Sequence, residues 1–179
     1  MVGQDLKNGL LPAIENYRTI RLFSDEAVSD EIIESILEAG RRAPSAKNRQ
    51  PWRFVLITNG DVKKRLESAA YGQEQVSSSS FIVAIGTTNV DYRMPNGQLS
   101  YPVDLSFAAS FMLIQAGAKE LGSCVITTYD ELEVKEILTV PYSMRIVMMI
   151  AFGHPAEELG PKTITNRKAL SDIMSRNHW

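Results

Sequence analysis

Apolar residues recur at helical spacing in the first part of the chain, which predicts two helices before any strand. The first helix is expected over residues 5–16, where the apolar positions share one face. The second is better marked, since Ser29 can accept hydrogen bonds from the free amides of a first turn and apolar residues repeat from there to Gly40. Ala43-Pro44 ends it, because the residue before a proline is disfavoured in helical geometry.

Four short apolar runs predict strands, and helical spacing returns between them. The strands are expected at residues 53–58, 81–87, 124–127 and 145–152. Further helices are expected at residues 61–70, at residues 130–138 and in the C-terminal tail, with a loop at the serine run 77–80. Several strands are apolar on both faces, so we expect helices to cover both sides of the sheet.

The longest helix is expected over residues 102–121, and its residues are apolar nearly all round. Pro102 suits the first helical position, and Gly122 is expected to end the helix as its C-terminal cap. We therefore expect this helix to run through the centre of the fold. No repeat or linker divides the chain, so the residues predict one layered domain over residues 1–179, of the α+β or α/β class.

Charge and hydropathy exclude several functional classes. The net charge is −2 and no basic block is longer than Lys63-Lys64-Arg65, so a dedicated nucleic-acid binder is not expected. The most apolar long stretch, residues 103–118, contains polar residues and is shorter than a bilayer span. The N-terminus lacks the features of a signal peptide. We therefore expect a cytoplasmic protein without a membrane partner.

Histidine and cysteine are scarce, since the sequence holds only His154, His178 and Cys124. One cysteine excludes an internal disulfide, and these three residues have no recognised metal-binding spacing, so no metal site is expected. The glycine motifs of nucleotide-binding folds and of serine hydrolases are absent from the sequence. Most side-chain catalysis near neutral pH uses His or Cys, so an enzyme of this composition is expected to take its reactive group from a cofactor.

Three polar segments could hold a cofactor, and each also has a purely structural explanation. Arg18-Thr19-Ile20-Arg21 places two guanidinium groups around a hydroxyl, which suits a phosphate or a polar heterocycle edge; solvated arginines are the alternative. Residues 43–52 hold Asn and Gln amides between two prolines, and the alternative is a turn followed by a core Trp52. The third segment is a Gly-His-Pro turn at 153–155 followed by basic residues 162–168, which could bind a phosphate or form a solvated tail.

Taken together, these segments resemble the nitroreductase family of FMN-dependent oxidoreductases, from about Glu15 to the C-terminus. The most specific shared motif is A-P-S-x-x-N-x-Q-P-W, which residues 43–52 match at every specified position. The other shared motifs are R-[ST]-x-R-x-F at residues 18–23, D-x-x-x-A from Asp104 to Ala108, L-G at Leu121-Gly122, V-P at Val140-Pro141, G-x-P at residues 153–155 and a late Arg167.

The resemblance implies a fold and an activity. The fold would be α+β, with a central, mostly antiparallel sheet, a long buried central helix and an interlocked homodimer that holds two FMN molecules at the subunit interface. The activity would be ping-pong transfer of hydride from NAD(P)H through flavin N5 to a nitroaromatic, quinone or similar flat acceptor. The open alternatives are other flavin chemistry on the same fold (dehalogenation, heterocycle oxidation or flavin breakdown) and a non-enzymatic flavin-binding dimer.

The same resemblance implies roles for individual residues. No side chain would act as an acid or base. Arg21 would face N1 and O2 of the flavin, where a fixed cation stabilises negative charge on the reduced ring. The other cofactor-binding roles are the FMN phosphate for Arg18 and Arg167, the phosphate or ribityl chain for Thr19, the isoalloxazine for Pro44, Ser45 and Asn48, and the vicinity of N5 for Thr127 and Thr128.

Two positions depart from the family pattern. Tyr17 and Thr165 stand where many relatives carry basic residues, so the phosphate could instead recruit Lys162 or Lys168. The sequence shows no dedicated site for the 2′-phosphate of NADPH, so NADH and NADPH remain equal alternatives as electron donor.

Overall fold

The computed structural model describes residues 9–156 and 167–179. Seven α-helices and four strands lie within these residues, with one short 3-10 helix at Ala46–Asn48. The strands are β1 (Arg53–Ile57), β2 (Phe81–Thr87), β3 (Gly122–Ile126) and β4 (Arg145–Gly153). The helices are α1 (Pro12–Glu15), α2 (Asp30–Arg41), α3 (Gly60–Ala69), α4 (Gln75–Ser78), α5 (Ser100–Ala118), α6 (Glu131–Leu138) and α7 (Leu170–Ile173).

The four strands form one antiparallel sheet in the order β1-β2-β4-β3, so β1 and β3 are its two edges. Every residue of β2 is buried, because the sheet is covered on both faces. Helices α2 and α5 pack on one face, and α3, α4 and α6 on the other. The expected α+β class, the antiparallel sheet and the two-sided helical cover are confirmed.

Helix α2 is set by local signals and by one close contact. The Ser29 side chain accepts a hydrogen bond from the amide of Ile32, which confirms the expected cap. A Cβ on Gly40 would lie 2.2 Å from Cε and 2.9 Å from Cγ of Met112 in α5. Glycine at this position therefore allows α2 and α5 to approach closely over the sheet.

The expected ends of α5 are wrong at both termini. The helix begins at Ser100, so Pro102 is its third residue, and it ends at Ala118 rather than near residue 121. Gly122 is not a cap but the first residue of β3, and the chain reverses at Glu120, which has φ 60°. Gly122 has a different reason to be glycine, since an added Cβ would lie 2.7 Å from Cγ1 of Ile20.

One side of α5 is exposed in the single chain, although the residues of this central helix are apolar nearly all round. Phe107 and Phe111 are 45% and 39% exposed, and Val103 lies on the same side. Val103 and Phe107, together with Pro102, Ser106 and Ser110, line a shallow groove of about 390 Å³. The opposite side packs on the sheet through Leu105, Ala108 and Met112, among others.

The two ends of the chain differ from the expected helices. Residues 5–8 of the predicted first helix lie outside the described residues, and within the described part the helix covers only Pro12–Glu15. Gly9 has φ 72°, which is not helical. The serine run is not entirely a loop, because Ser77 and Ser78 close α4. The predicted tail helix is present as the single turn α7.

Candidate functional site

The segment 18–23 lies along the outer edge of β3. The amide of Ile20 donates to the carbonyl of Ser123 at 2.9 Å, and Thr19 forms a parallel bridge with the same serine. Ile20 and Phe23 are buried, whereas Thr19 and Arg21 are exposed. The two apolar residues therefore anchor the backbone and leave the polar side chains at the surface, with Arg18 half-buried beside them.

The Gly-His-Pro turn secures the far end of this segment. The amide of Ser24 donates to the carbonyl of His154 at 2.9 Å, and Phe23 forms an antiparallel bridge with Pro155. A Cβ on Gly153 would lie 2.8 Å from Oγ of Ser80. The close approach predicted for Gly153 is therefore to another part of the protein, the side chain of Ser80. The turn itself holds the end of the segment 18–23, which carries the two arginines.

Arg21 and Gln75 both act on the buried thiol of Cys124. Burial raises the pKa of this thiol, while the positive charge of Arg21 and a hydrogen bond with Gln75 lower it in part. Burial is the largest effect, so the thiol stays protonated at neutral pH and is a poor nucleophile. Both groups therefore lie in the neighbourhood of the Cys124 thiol, which belongs to the edge strand β3.

A second glutamine extends this polar edge. Nε2 of Gln73 donates to the carbonyls of Thr128 at 2.8 Å and Ala70 at 2.9 Å, and Nε2 of Gln75 donates to Oε1 of Gln73 at 3.0 Å. The side chains of Thr127 and Thr128 are exposed at the end of β3. We call the whole group the β3-edge cluster; its members are Arg18, Thr19, Arg21, Gln73, Gln75, Thr127 and Thr128.

Sequence reasoning did not identify the two glutamines. The available signal was Gly72-Gln73-Glu74-Gln75 between a helix and a strand. Gly72 has φ 76°, a conformation that glycine adopts without strain, and the turn that it forms brings both amides back against β3. Polar residues are common in loops, so two glutamines after such a turn do not by themselves indicate a binding site.

The loop 43–52 has an unusual and well-fixed backbone. Lys47, Asn48 and Gln50 have φ values of 53°, 54° and 49°, although none is glycine. Each such residue costs about 1 kcal/mol or more, so neighbouring contacts must hold the loop. The amide of Ala46 donates to Oδ1 of Asp104 at 2.8 Å, and the amide of Gln50 donates to Oγ of Ser45 at 2.9 Å.

These contacts determine which loop residues face solvent. The hydroxyl of Ser45 is used within the loop. Asp104, which is 2% exposed, holds the loop from α5 by accepting from the amide of Ala46. Pro44 and Asn48 are exposed. The loop therefore has a fixed shape in which the side-chain amide of Asn48 is available to a ligand.

The loop and the β3-edge cluster lie at opposite edges of the sheet. The loop leads into β1, the cluster borders β3, and two strands separate them. At the usual spacing between strands this amounts to about 14 Å. The structure thus brings together Arg18, Thr19, Arg21, Thr127 and Thr128, but it does not bring Pro44, Ser45 or Asn48 to them within one chain.

The last predicted site residues are in the C-terminal part. Arg167 and Lys168 are exposed, and among the described residues neither makes a polar contact with the loop or with the β3-edge cluster. Lys162 and Thr165 lie outside the described residues. Tyr17, beside Arg18, is half-buried.

Residues 9–156 and 167–179 hold neither a metal-binding group nor a membrane-spanning helix. No group of three or more His, Cys, Asp or Glu side chains in these ranges could hold a metal ion. Within the same ranges, no helix combines the length and the apolar character that crossing a membrane requires.

Comparison with known proteins gives consistent matches. A sequence profile of the nitroreductase family matches residues 14–82 and 91–154. The Archaeoglobus fulgidus protein named "Putative NADH dehydrogenase/NAD(P)H nitroreductase" is 30% identical over 158 residues, which cover 83% of this chain and 86% of that protein.

Solved structures share the fold. A nitroreductase family protein of Clostridium difficile superposes with a TM-score of 0.83 at 21% identity, over 94% of this chain and 98% of that one. The NADPH:FMN oxidoreductase of Vibrio harveyi, solved with NAD+, gives a TM-score of 0.81 at 23% identity, over 93% and 76% of the two chains. The profile match extends over most of the sheet and both of its helical layers. The chain therefore belongs to the nitroreductase family.

Proposed function

We propose that this protein is an FMN-dependent oxidoreductase that passes hydride from NAD(P)H to a nitroaromatic, quinone or similar flat acceptor by ping-pong exchange. The family generally uses flavin and NAD(P)H, and the relatives named above support an NAD(P)H-dependent oxidoreductase. The observation that carries the proposal is the position of Arg21, an exposed guanidinium on an anchored segment with two side-chain amides nearby.

The chemistry of the β3-edge cluster fits a flavin. A guanidinium supplies donors only. Both N–H groups of Gln73 are used by the carbonyls of Ala70 and Thr128, so Gln73 offers an acceptor oxygen, and the amide of Gln75 offers a donor and an acceptor. The pyrimidine edge of a flavin presents hydrogen-bond donors and acceptors in alternation. The guanidinium of Arg21 and the nearby amides match that pattern. The chemistry that FMN supplies when bound is two-electron transfer from the nicotinamide to the acceptor.

Arg21 stabilises negative charge at this edge. Its backbone is held by the contacts of Ile20 and Phe23, so the guanidinium needs little rearrangement when charge develops beside it. Arg18 and Thr19 precede it on the same anchored segment and bind the FMN phosphate and the neighbouring ribityl hydroxyls, together with Arg167. Thr127 and Thr128 line the site at the end of β3.

The complete site requires a second copy of the chain. Pro44, Ser45 and Asn48 lie at the opposite edge of the sheet from Arg21, so one chain cannot place all of them around one ring. Family members are typically dimers. In the dimer, the loop 43–52 of one copy lines the flavin that the β3-edge cluster of the other copy holds.

Exposed apolar residues supply the surface that such a dimer would bury. Single chains rarely expose large contiguous apolar patches. Here α5 exposes Val103, Phe107 and Phe111, and further large apolar side chains are exposed at both ends of the described chain. These terminal residues are Leu10, Leu11, Ile14, Leu170, Ile173 and Met174.

Within the described residues, the site offers no strong acid, base or nucleophile of its own. Cys124 is buried with a raised pKa, and His154 faces Glu26 at 3.7 Å between Nε2 and Oε1. The protein therefore contributes binding, orientation and charge stabilisation, and the flat acceptor is selected mainly by fit over the flavin.

The absorbance spectrum of the purified protein tests the proposal. We expect a yellow protein, or one that becomes yellow on incubation with FMN, whose flavin absorbance is bleached anaerobically by NADH or NADPH and recovers when a quinone is added. Light scattering should give the mass of two chains. A colourless protein that cannot be loaded with FMN would overturn the proposal, and tight FMN binding without NAD(P)H oxidation would favour a non-enzymatic flavin-binding dimer.

A further inference from the structure

Two cationic side chains of the loop 43–52 converge on one aromatic ring. The guanidinium carbon of Arg49 lies 3.8 Å from the ring centroid of Tyr92, and Nζ of Lys47 lies 5.9 Å from the same centroid. Both cations are exposed and the ring is half-buried. Tyr92 belongs to the segment between β2 and α5, so two separate loops form this arrangement.

No carboxylate neutralises this pair in the described part of the chain. The ion pairs found there use Glu26, Glu38 and Glu131, and none of them reaches Lys47 or Arg49. A nearby basic pair behaves differently, because Arg41 and Arg42 both bind Glu38, at 2.6 Å and 2.7 Å. Two uncompensated cations beside one ring repel each other, and a bound dianion removes that repulsion.

The same helix holds both loops. Oδ1 of Asp104 accepts from the amide of Ala46, which fixes the backbone before Lys47. The amide of Ser100 donates to the carbonyl of Tyr92 at 3.0 Å. Both anchors lie in the first two turns of α5, so the cations and the ring keep their relative positions, and little ordering is required when an anion binds.

We propose that Lys47 and Arg49 bind a phosphate monoester dianion, the 2′-phosphate of NADPH, and thereby make NADPH the preferred electron donor. This inference rests on the proposed function, in which Asn48, between the two cations, lines the flavin. NADH and NADPH differ only in the 2′-phosphate. A forked guanidinium and an ammonium together match the charge and the acceptor oxygens of that group.

The donor preference of the FMN-loaded enzyme tests the assignment. We expect wild type to show a higher kcat/KM for NADPH than for NADH at low ionic strength, and a preference that declines as salt is added. In Lys47→Gln/Arg49→Gln the ratio of the two kcat/KM values should fall at least about tenfold, as expected for loss of charge-assisted hydrogen bonds.

Two controls separate this effect from net charge and from folding. Lys64→Gln/Arg65→Gln removes the same charge from exposed positions of α3 and should leave the ratio within about twofold of wild type, because screening makes distant surface charges weak. Tyr92→Phe keeps an aromatic face under the guanidinium and should preserve the ratio, whereas Tyr92→Leu should lower it.

A binding measurement supplies a readout besides activity. Calorimetric titration of the FMN-loaded protein should show tighter binding of adenosine 2′,5′-bisphosphate than of adenosine 5′-monophosphate, and the difference should be lost in Lys47→Gln/Arg49→Gln. An active enzyme that prefers NADH, or whose ratio is the same in this variant and in wild type, would overturn the assignment while leaving the proposed function intact. Failure of the FMN-loaded protein to oxidise either nucleotide would overturn the proposed function itself.

Discussion

Replacing Gly122 by alanine should displace the segment that carries Arg18 and Arg21. The new Cβ would lie 2.7 Å from Cγ1, 2.8 Å from Cβ and 2.9 Å from Cγ2 of Ile20. Ile20 is β-branched and has few alternative rotamers, so the side chain cannot simply turn away. The backbone at Ile20 must therefore move, although its amide is hydrogen-bonded to Ser123.

The size of the effect follows from these distances. The nearest pair must separate by about 0.7 Å to reach ordinary contact at 3.4 Å, and overpacking of this kind costs about 1–3 kcal/mol. We expect Gly122→Ala to lower the free energy of unfolding by that amount and to weaken FMN binding. Because the arginines would lose their alignment with the phosphate and the ring edge, the affinity should fall more than the stability of the FMN-free protein alone explains.

Urea unfolding and fluorescence titration with FMN measure the two quantities. Gly117→Ala in α5 is the matched control, since its Cβ would meet Ala13 no closer than 3.5 Å and alanine favours a helix by about 0.5–1 kcal/mol. Ile20→Ala removes Cγ1 and Cγ2, so the double variant with Gly122→Ala should be less destabilised than the sum of the two single variants. Strict additivity, or a Gly122→Ala protein as stable as wild type, would refute the reasoning.

Three further predictions concern the site and its support. Arg21→Ala should slow anaerobic flavin reduction by about tenfold or more in stopped-flow absorbance, while Arg65→Ala should not; equal rates in the two variants would remove Arg21 from the site. Asp104→Ala removes the acceptor for the amide of Ala46 and should lower the free energy of unfolding in urea by about 1–3 kcal/mol. Asp104→Asn keeps an acceptor oxygen and should lower it less. The reverse order of the two variants would contradict the anchoring role of Asp104. The pKa of Glu38 falls from 4.5 to about 2 because two arginines donate to its carboxylate, so the stability that this group contributes is present above about pH 4.5 and is lost as the pH falls towards 2. The difference in the free energy of unfolding between wild type and Glu38→Gln should therefore shrink over that range. A difference that stays constant with pH would contradict this role of Glu38.

Elements with strong local signals were predicted well from the sequence. Strand β2 occupies the expected residues 81–87, because a run that is apolar on both faces fits only a covered strand. The start of α2 was also predicted correctly, because Ser29 is a residue type that caps the first turn of a helix. These features depend on residues close together in the chain, and the physical rules for them are local.

Features that depend on tertiary contact were not predictable in the same way. Gly122 follows a helix as a cap would, but its role is set by Ile20, about a hundred residues earlier in the chain. The left-handed backbone at Lys47 follows Ala46, whose amide is held by Asp104 from a distant helix, and no glycine stands at this position to indicate it. The separation of the two candidate surfaces follows from strand order, which the spacing of apolar residues does not encode.

The segment that carries Tyr92 has a tip with few ties to the rest of the molecule. The amide of Gly97 donates to the carbonyl of Met94 and Arg93 bonds the carbonyl of Gly97, so the turn is closed by its own residues. Residues 95–97 are exposed, and Gly97 has φ 85°. A peptide inserted at this tip would extend from the side of the protein on which we propose that the nucleotide binds, and it would not disturb the sheet. An insertion at this one turn would therefore change which acceptors the proposed flavin site admits, while Arg21 and the loop 43–52 stay unchanged.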